Sequence, residues 1–157
     1  MTANATRVEC GTLGTEPCAY RVVAEQLPDV AVFAFDRDLR FELATGAAVR
    51  DTGWRPEEIL GRTLYELVPP DRVEAYAAPY RAALAGERQS FEAQGWREPA
   101  KVWAVDVVPI RGADGAITGG MVFGTDVTER RRTERELRER RRQLAEAQRI
   151  ARVGNWE

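Results

Sequence analysis

The segment Ile117-Thr118-Gly119-Gly120-Met121-Val122-Phe123-Gly124-Thr125-Asp126-Val127-Thr128-Glu129-Arg130 changes character within four residues. Up to Thr125 it is apolar, β-branched and rich in glycine, which suits a strand. From Glu129 to Arg152 there is no Gly or Pro and Arg and Glu dominate, which suits a helix. Asp126 stands three residues ahead of Glu129, the spacing of a capping box that would start the helix rigidly where the strand ends. The strand and the helix therefore read as one continuous element.

Upstream, the tight turn Asp114-Gly115 joins this strand to a long partner, Val102 to Ile110, with Asp106 as its only charge and Pro109 near its end. At a period of two, Trp103, Val105 and Val107 face one way and Val102, Ala104, Val108 and Ile110 the other. Both faces are apolar, so both need cover: helices on one, an N-terminal helix or a second subunit on the other. Asp106 must then be solvated, paired or desolvated at a cost. Arg88 to Gly95 reads as an edge strand, and Val30 to Phe35 and Arg40 to Leu43 form a hairpin around Asp36-Arg37-Asp38. Between hairpin and edge strand, Gly53, Pro56 and Gly61 divide the chain into short helical pieces: Ala47 to Asp51, Pro56 to Leu60 and Thr63 to Val68. A longer helix opens at Pro69-Pro70-Asp71, carries Val73, Tyr76, Ala77, Tyr80, Ala83 and Leu84 on one stripe, and stops at Gly86; Pro79 inside it predicts a kink or a broken turn. Tyr20, Val23, Ala24 and Leu27 recur at helical spacing before Pro28. The expected organisation is a flexible leader over 1–17, a cap helix over 18–28, an α+β domain over 29–128 and an exposed helix over 129–150.

That last helix carries a thin seam, Thr133, Leu137, Arg140, Leu144, Ala147 and Ala151, stepping by four and three. One helix buries little through so narrow a stripe, and pairing with a second copy would cover it, so a homodimer is expected. The runs Arg130-Arg131-Arg132 and Arg140-Arg141-Arg142 interleave with Glu129, Glu134, Glu136 and Glu139 at helical pair spacing. With no aromatic side chain among them for base stacking, they predict a solvated ion-paired face and not a nucleic-acid interface.

Composition narrows the chemistry. A chain of 157 residues, 44% hydrophobic and 31% charged, suits one folded domain with an appendage. Net charge is 23 − 25 = −2, divided as +4 from Val127 to Glu157 (ten Arg, six Glu) and −6 before it. There is no histidine, which excludes Ser-His-Asp and Cys-His catalysis, imidazole-bound zinc and His-ligated haem on this chain. No metal site is expected. Cys10 and Cys18 match no metal or redox spacing and read as a reduced cytoplasmic pair. The longest apolar run, Val30 to Phe35, is far too short to span a bilayer, and Met1 to Gly14 lacks the basic start and apolar middle of a secretory signal. Asp36 with Asp38, and Glu57 with Glu58, are turn and helix-start chemistry, not catalytic pairs, so no enzymatic activity is expected of this chain.

Several of these residues also carry a family likeness. Thr52-Gly53-Trp54 followed by Glu57-Glu58-Ile59-Leu60-Gly61-Arg62-Thr63-Leu64 resembles the "TGY…EELLGRSL" stretch of PAS sensor domains. Asp126-Val127-Thr128-Glu129-Arg130, with Glu134 and Leu137 behind it, resembles the "DITER…AE..L" ending at which such domains pass into a signalling helix. Gly86-Glu87, Trp103, Pro109 and Gly115 are similar to the family as well. The resemblance implies a PAS fold: a five-stranded antiparallel sheet in the order 2-1-5-4-3 with helices on one face, plus an N-terminal helix and a C-terminal signalling, coiled-coil helix. It implies a cytoplasmic sensory or dimerisation module, with an output domain downstream in the same parent chain, commonly a histidine kinase or a cyclic-di-GMP enzyme. Residues 151–157 resemble the start of a following PAS domain, so a longer parent protein is expected. Asp126 and Thr128 would be the signal junction.

The expected pocket between sheet and helices is lined by Phe33, Phe35, Phe41, Leu43, Thr45, Trp54, Leu64, Tyr76, Tyr80, Trp103, Val105, Met121 and Phe123. The alternative is that these aromatics simply fill the core and the module is a ligand-free spacer. Thr45, Arg50, Asp106 and Thr125 are the polar groups that would decide. No cofactor is expected, though an unknown small-molecule ligand is allowed for. The flavin-photoreceptor branch needs a Cys in an "NCRFLQ" motif, and this chain has Gly61-Arg62-Thr63-Leu64-Tyr65 in that region; the haem branch normally uses the His this chain lacks.

Overall fold

A computed structural model describes residues 25–153. The leader, Cys10 and Cys18, most of the cap helix expected over 18–28 and the stretch 154–157 lie outside the described residues. The first hairpin pairs β1 (Val30–Asp36) with β2 (Phe41–Thr45). Asp36 turns it: one carboxylate oxygen accepts hydrogen bonds from the backbone N–H groups of Asp38 at 2.8 Å and Arg40 at 2.9 Å, an Asx-type turn. On its other side β1 pairs with β5 (Ile117–Asp126), which pairs with β4 (Val102–Arg111), which pairs with β3 (Gln89–Gln94). All pairings are antiparallel and the order is β2-β1-β5-β4-β3, as the resemblance implied.

Four short elements connect the hairpin to β3: a 3-10 turn (Ala47–Thr52), α1 (Pro56–Ile59), α2 (Leu64–Leu67) and α3 (Val73–Leu84). The first three are too short to stand alone. Local caps and burial hold them. Gly53 ends the 3-10 turn in the left-handed region at φ 81°, where glycine has no Cβ penalty. In α1, Glu58 accepts from the Arg55 N–H at 2.9 Å; in α2, Glu66 accepts from the Thr63 N–H at 2.7 Å and its hydroxyl at 2.9 Å. Ile59, Leu64 and Val68 are buried beneath them. The kink or break expected at Pro79 is corrected in one respect: α3 runs from Val73 to Leu84 as a single element with Pro79 inside it.

These elements roof one face of the sheet, where Phe35, Phe41, Val107 and Val122 meet Ile59, Leu64, Val68, Ala77 and Ala83 in one core. Strand register fixes which β5 residues share that face: Gly120 opposite Phe35, Val122 opposite Phe33 and Val107, and Gly124 opposite Ala31 and Val105. The Phe35 ring lies directly on Gly120, and the Trp103 ring lies over Gly124. Burying a side chain of this size contributes about 1.5–3 kcal/mol, whereas an exposed ion pair contributes about 0–1 kcal/mol. The aromatic core therefore outweighs the surface pairs.

The opposite face carries Val32, Ala34, Leu43, Thr45, Val108, Met121, Phe123 and Thr125 by register. It is largely apolar, and Phe123 is 37% exposed. Asp106 sits on this face, half-exposed, accepting hydrogen bonds from the Ser90 hydroxyl and from Arg88 at 3.1 Å. Those bonds, Ser90 first, hold its carboxyl below the ordinary aspartate range, so it is a paired, hydrated acid.

A Cβ at Gly120 would stand 2.3 Å from the Phe35 ring, and Phe35 is fully enclosed. Gly120→Ala is expected to lower stability by about 1–3 kcal/mol through overpacking. Urea denaturation measures this; a midpoint equal to wild type would mean the ring has room to retreat.

Candidate functional site

Between the inner sheet face and the short helices lies a cavity of about 160 Å³. Phe33 and Ala31 reach it from β1, Phe41 from β2, Trp103 and Val105 from β4, and Val122 and Gly124 from β5. Leu64 comes from α2, Tyr76 and Tyr80 from α3, Trp54 from the loop after the 3-10 turn, and Trp96 from the loop after β3. Thus eight of the expected side chains meet there: Phe33, Phe41, Trp54, Leu64, Tyr76, Tyr80, Trp103 and Val105.

Five do not. Phe35 belongs to the adjoining core, its ring 4.9 Å from that of Tyr80. Leu43, Thr45, Met121 and Phe123 fall on the opposite face, which corrects their placement in the pocket. On β5 the period of two was right and the phase was wrong; on β2 a bulge at the Ala34/Phe35 pairing breaks the period, so Phe41 faces the cavity while Leu43 and Thr45 face away. On β5 the inward positions alternate Gly120, Val122 and Gly124, because rings from neighbouring strands occupy the space above them. The bulky Met121 and Phe123 are turned outward. Register also puts Thr45, Asp106 and Thr125 outward, and Arg50 is exposed, so none of the four expected polar determinants lines the cavity. Trp96 was missed because it follows the end of β3, where no periodicity points to it.

The lining is organised by ring contacts. Phe33 meets Phe41 edge-on at 6.2 Å, and Phe41 meets Tyr80 at 6.2 Å. Trp96 bridges Trp54 at 5.6 Å and Tyr76 at 5.8 Å. The Arg97 guanidinium stacks 3.4 Å over Trp54 and pairs with Glu58 at 3.0 Å, closing that corner with a neutralised charge. Burial, with Tyr76 beside it, pushes the Tyr80 phenol far above its ordinary range, so it stays a neutral hydroxyl. Trp103 is 6% exposed, and its indole N–H is buried without a hydrogen-bond partner among the described residues.

At the end of β5 the expected junction is built from both of its residues. One Asp126 oxygen accepts from the Thr128 N–H at 2.9 Å and from its hydroxyl; the other accepts from the Lys101 ammonium at 2.6 Å. The Thr128 hydroxyl accepts from the Val102 N–H at 2.9 Å, and the Val127 N–H donates to the Val102 carbonyl at 2.9 Å. Burial alone would push the Asp126 carboxyl up. Lys101 and Thr128 outweigh it and hold the group below the ordinary aspartate range, while the bond to Asp126 raises Lys101. The cap is therefore an Asp126–Thr128 contact two residues apart and not the expected box with Glu129. The helix α4 consequently starts one residue early and runs Thr128–Val153, through the expected 129–150 and beyond it. A second anchor was not foreseen: Glu92 of β3 accepts two hydrogen bonds from Arg131 in the first turns of α4. From Arg135 to Arg152 every residue of α4 is exposed, with Leu137 at 49% and Leu144 at 63%.

This geometry is that of a known family. A family model described as the PAS fold matches residues 24–132. The chain belongs to the PAS family. Over 112 residues it is 33% identical to the blue-light-activated histidine kinase of Rhizobium johnstonii, covering 69% of this chain and 32% of that protein. The chain thus spans about a third of that relative's length. Among solved structures, the PAS domain of a protein from Colwellia psychrerythraea is similar, with 17% identity, a TM-score of 0.56, and coverage of 71% of this chain and 97% of that one. A sensory box sensor histidine kinase from Vibrio cholerae is similar at 18% identity and a TM-score of 0.52, with coverage of 70% and 90%. These two likenesses show the PAS fold. The family is one of sensory domains, and this chain is homologous to one within a histidine kinase. Among the described residues no helix is long and apolar enough to cross a membrane.

The cysteinyl–flavin adduct of the photoreceptor branch of PAS proteins does not fit these residues. No cysteine occurs between 25 and 153 to form an adduct, and a cavity of about 160 Å³ matches a single ring, since roughly 150 Å³ holds benzene.

The junction has a pH signature. Because the native Asp126 carboxyl lies below its unfolded value, its stabilisation is complete above the ordinary aspartate range and is lost as pH falls through the depressed native value. Lys101, raised, contributes below the ordinary lysine range and loses that contribution as pH rises through its raised value. Asp126→Asn is expected to be about 1 kcal/mol less stable than wild type at neutral pH, with the gap closing in acid. Urea titrations over a pH series check this, and a gap independent of pH would refute the charge argument.

Proposed function

We propose that this PAS domain is a sensory module in which occupancy of the aromatic cavity alters the seating of β5, and that α4 carries the change to an output domain in the same parent chain. The observation that carries the reading is the continuity of β5. Its Val122 and Gly124 line the cavity, and the same strand runs without slack through Asp126 and Thr128 into α4. The bonds to Lys101, Val102 and Glu92 tie the first turns of the helix to β4 and β3. A shift within the sheet would move the helix as a body instead of being absorbed in a flexible loop.

Two copies are proposed to pair along the seam of Thr133, Leu137, Leu144, Ala147 and Ala151. The exposure of Leu137 and Leu144, on a helix otherwise covered with Arg and Glu, supports this. Several charges of α4 are already engaged within the helix, as in Arg131–Glu134, Arg132–Glu136 and Arg142–Glu139, which supports protein pairing over nucleic-acid binding. The relative's kinase name favours a histidine kinase over a cyclic-di-GMP enzyme as the output, in the cytoplasm. The role of the domain is regulatory, without chemistry of its own.

Replacing Leu137 and Leu144 together by Ser is expected to convert a dimer to a monomer in sedimentation velocity while leaving the far-ultraviolet spectrum of the sheet domain unchanged. A dimer that survives the double substitution would move the association to the apolar sheet face around Phe123.

A further inference from the structure

We infer that Glu92 is the positioning residue that aims α4: it ties the edge strand β3, a wall of the cavity, to the helix, so that a displacement of β3 turns the helix about its junction with β5. The inference rests on the proposed reading that occupancy of the cavity moves α4. It adds a second route beside β5 and names the side chain through which that route runs.

Strand alternation gives Glu92 its place. Phe91 and Ala93 line the cavity, and Glu92 between them is exposed on the opposite face. There its carboxylate meets a planar guanidinium as a fork. One oxygen accepts from Arg131 Nε at 2.9 Å and the other from Nη2 of the same group, while Arg130 stands 3.9 Å away. The bonds hold the Glu92 carboxyl below the ordinary glutamate range and raise Arg131.

The ladders explain why β3 is the wall that yields. β5 is paired on both sides, to β1 and β4, whereas β3 pairs with β4 alone. A strand held along one edge gives way before one held along two. The position of Arg131 explains why the yield is felt. Asp126 and Thr128 fix where α4 begins, and a single fixed point leaves a rod free to pivot. Arg131 lies three residues beyond Thr128, about 4.5 Å along the axis, and a second point there sets direction. A shift of about 0.5 Å at Glu92 across the axis then turns α4 by about 6° and carries position 146 through about 3 Å.

Detachment need not unfold the helix. Arg131 also donates to Glu134 at 2.9 Å, so without Glu92 its charge keeps a partner on α4 itself. Both side chains of the fork are about one-third exposed, so no charge is stranded in the core when it opens.

The test reads the direction of α4. Nitroxides are placed at Asp38→Cys and Glu146→Cys with Cys10→Ser and Cys18→Ser, and the labelled chain is diluted into unlabelled cysteine-free protein so that double electron–electron resonance reports distances within one copy. Glu92→Gln is expected to widen the distance distribution at least twofold with the helical far-ultraviolet signal unchanged, and the swapped pair Glu92→Arg with Arg131→Glu is expected to narrow it again. A distribution as narrow in Glu92→Gln as in wild type would overturn the inference. Widening that the swap fails to reverse would overturn the ion pair as its cause. Raising sodium chloride to about 1 M should widen the wild-type distribution in the same way, a check that needs no variant, and a salt-independent width would count against the fork. Benzene, which a cavity of roughly 150 Å³ accommodates, supplies the second arm, its binding followed by the indole resonances of Trp54 and Trp96. Bound benzene is expected to move the mean distance by about 3 Å in wild type and by less than about 1 Å in Glu92→Gln. Equal movement in both would overturn the route through Glu92 while leaving the cavity coupled to α4 by β5. Binding without movement in either, or no binding, would overturn the coupled-cavity reading and the route with it, and leave Glu92 a static mooring.

Discussion

The inward face of β5 is nearly bare, and the domain is organised around that fact. With Gly120 and Gly124 on either side of Val122, rings from neighbouring strands can lie across the middle of the sheet, Phe35 on one glycine and Trp103 on the other. Those rings then meet α3 and the short helices at a distance that leaves a small cavity instead of a solid core. A larger side chain at either glycine would lift a ring, and the roof of short elements has no independent stability with which to follow it. Cavity, roof and sheet are thus one packing solution.

Much of this was legible in the chain. Strand alternation, the turn at Asp36 and the prolines and glycines that cut the helical segment placed the strands and the three shortest helical pieces within a residue or two, whereas α3 begins at Val73 and not at Pro69-Pro70-Asp71. The double-faced apolar pattern of Val102 to Ile110 correctly implied a sheet with two faces to cover. What could not be read was the phase of β5. A run such as Gly119-Gly120-Met121-Val122-Phe123-Gly124 invites the assumption that its largest side chains point to the core, and that assumption sent Met121 and Phe123 to the wrong side. The error arises because strand periodicity reports which residues share a face, while the choice of face depends on neighbours remote in sequence, here Phe35 and Trp103. Trp96 escaped for a related reason, since it lies in a loop without a period.

The junction shows the same division between local and distant information. The abrupt change in composition marked Asp126 but suggested Glu129 as its cap partner, and Thr128 was named only through the family resemblance, whereas the cap that forms is Asp126–Thr128. Their partners Lys101 and Val102 lie 25 and 26 residues away, and Glu92 lies 39 from Arg131. These long-range bonds differ in weight from the pairs farther along α4. The Asp126 side chain is only 10% exposed, so its bond to Lys101 is shielded, whereas the helix pairs are open to salt and contribute little individually.

The length of α4 gives the arrangement leverage. Twenty-six residues at 1.5 Å each make a rod of about 39 Å, fixed only at its first turns. A rotation of about 5° at that base, small enough to arise from a sub-ångström displacement in the sheet, sweeps the far end through about 3 Å. Under the proposed role, the rod would magnify a movement negligible at its origin, and the stiffness of the Asp126 and Glu92 moorings would decide how faithfully that gain is delivered.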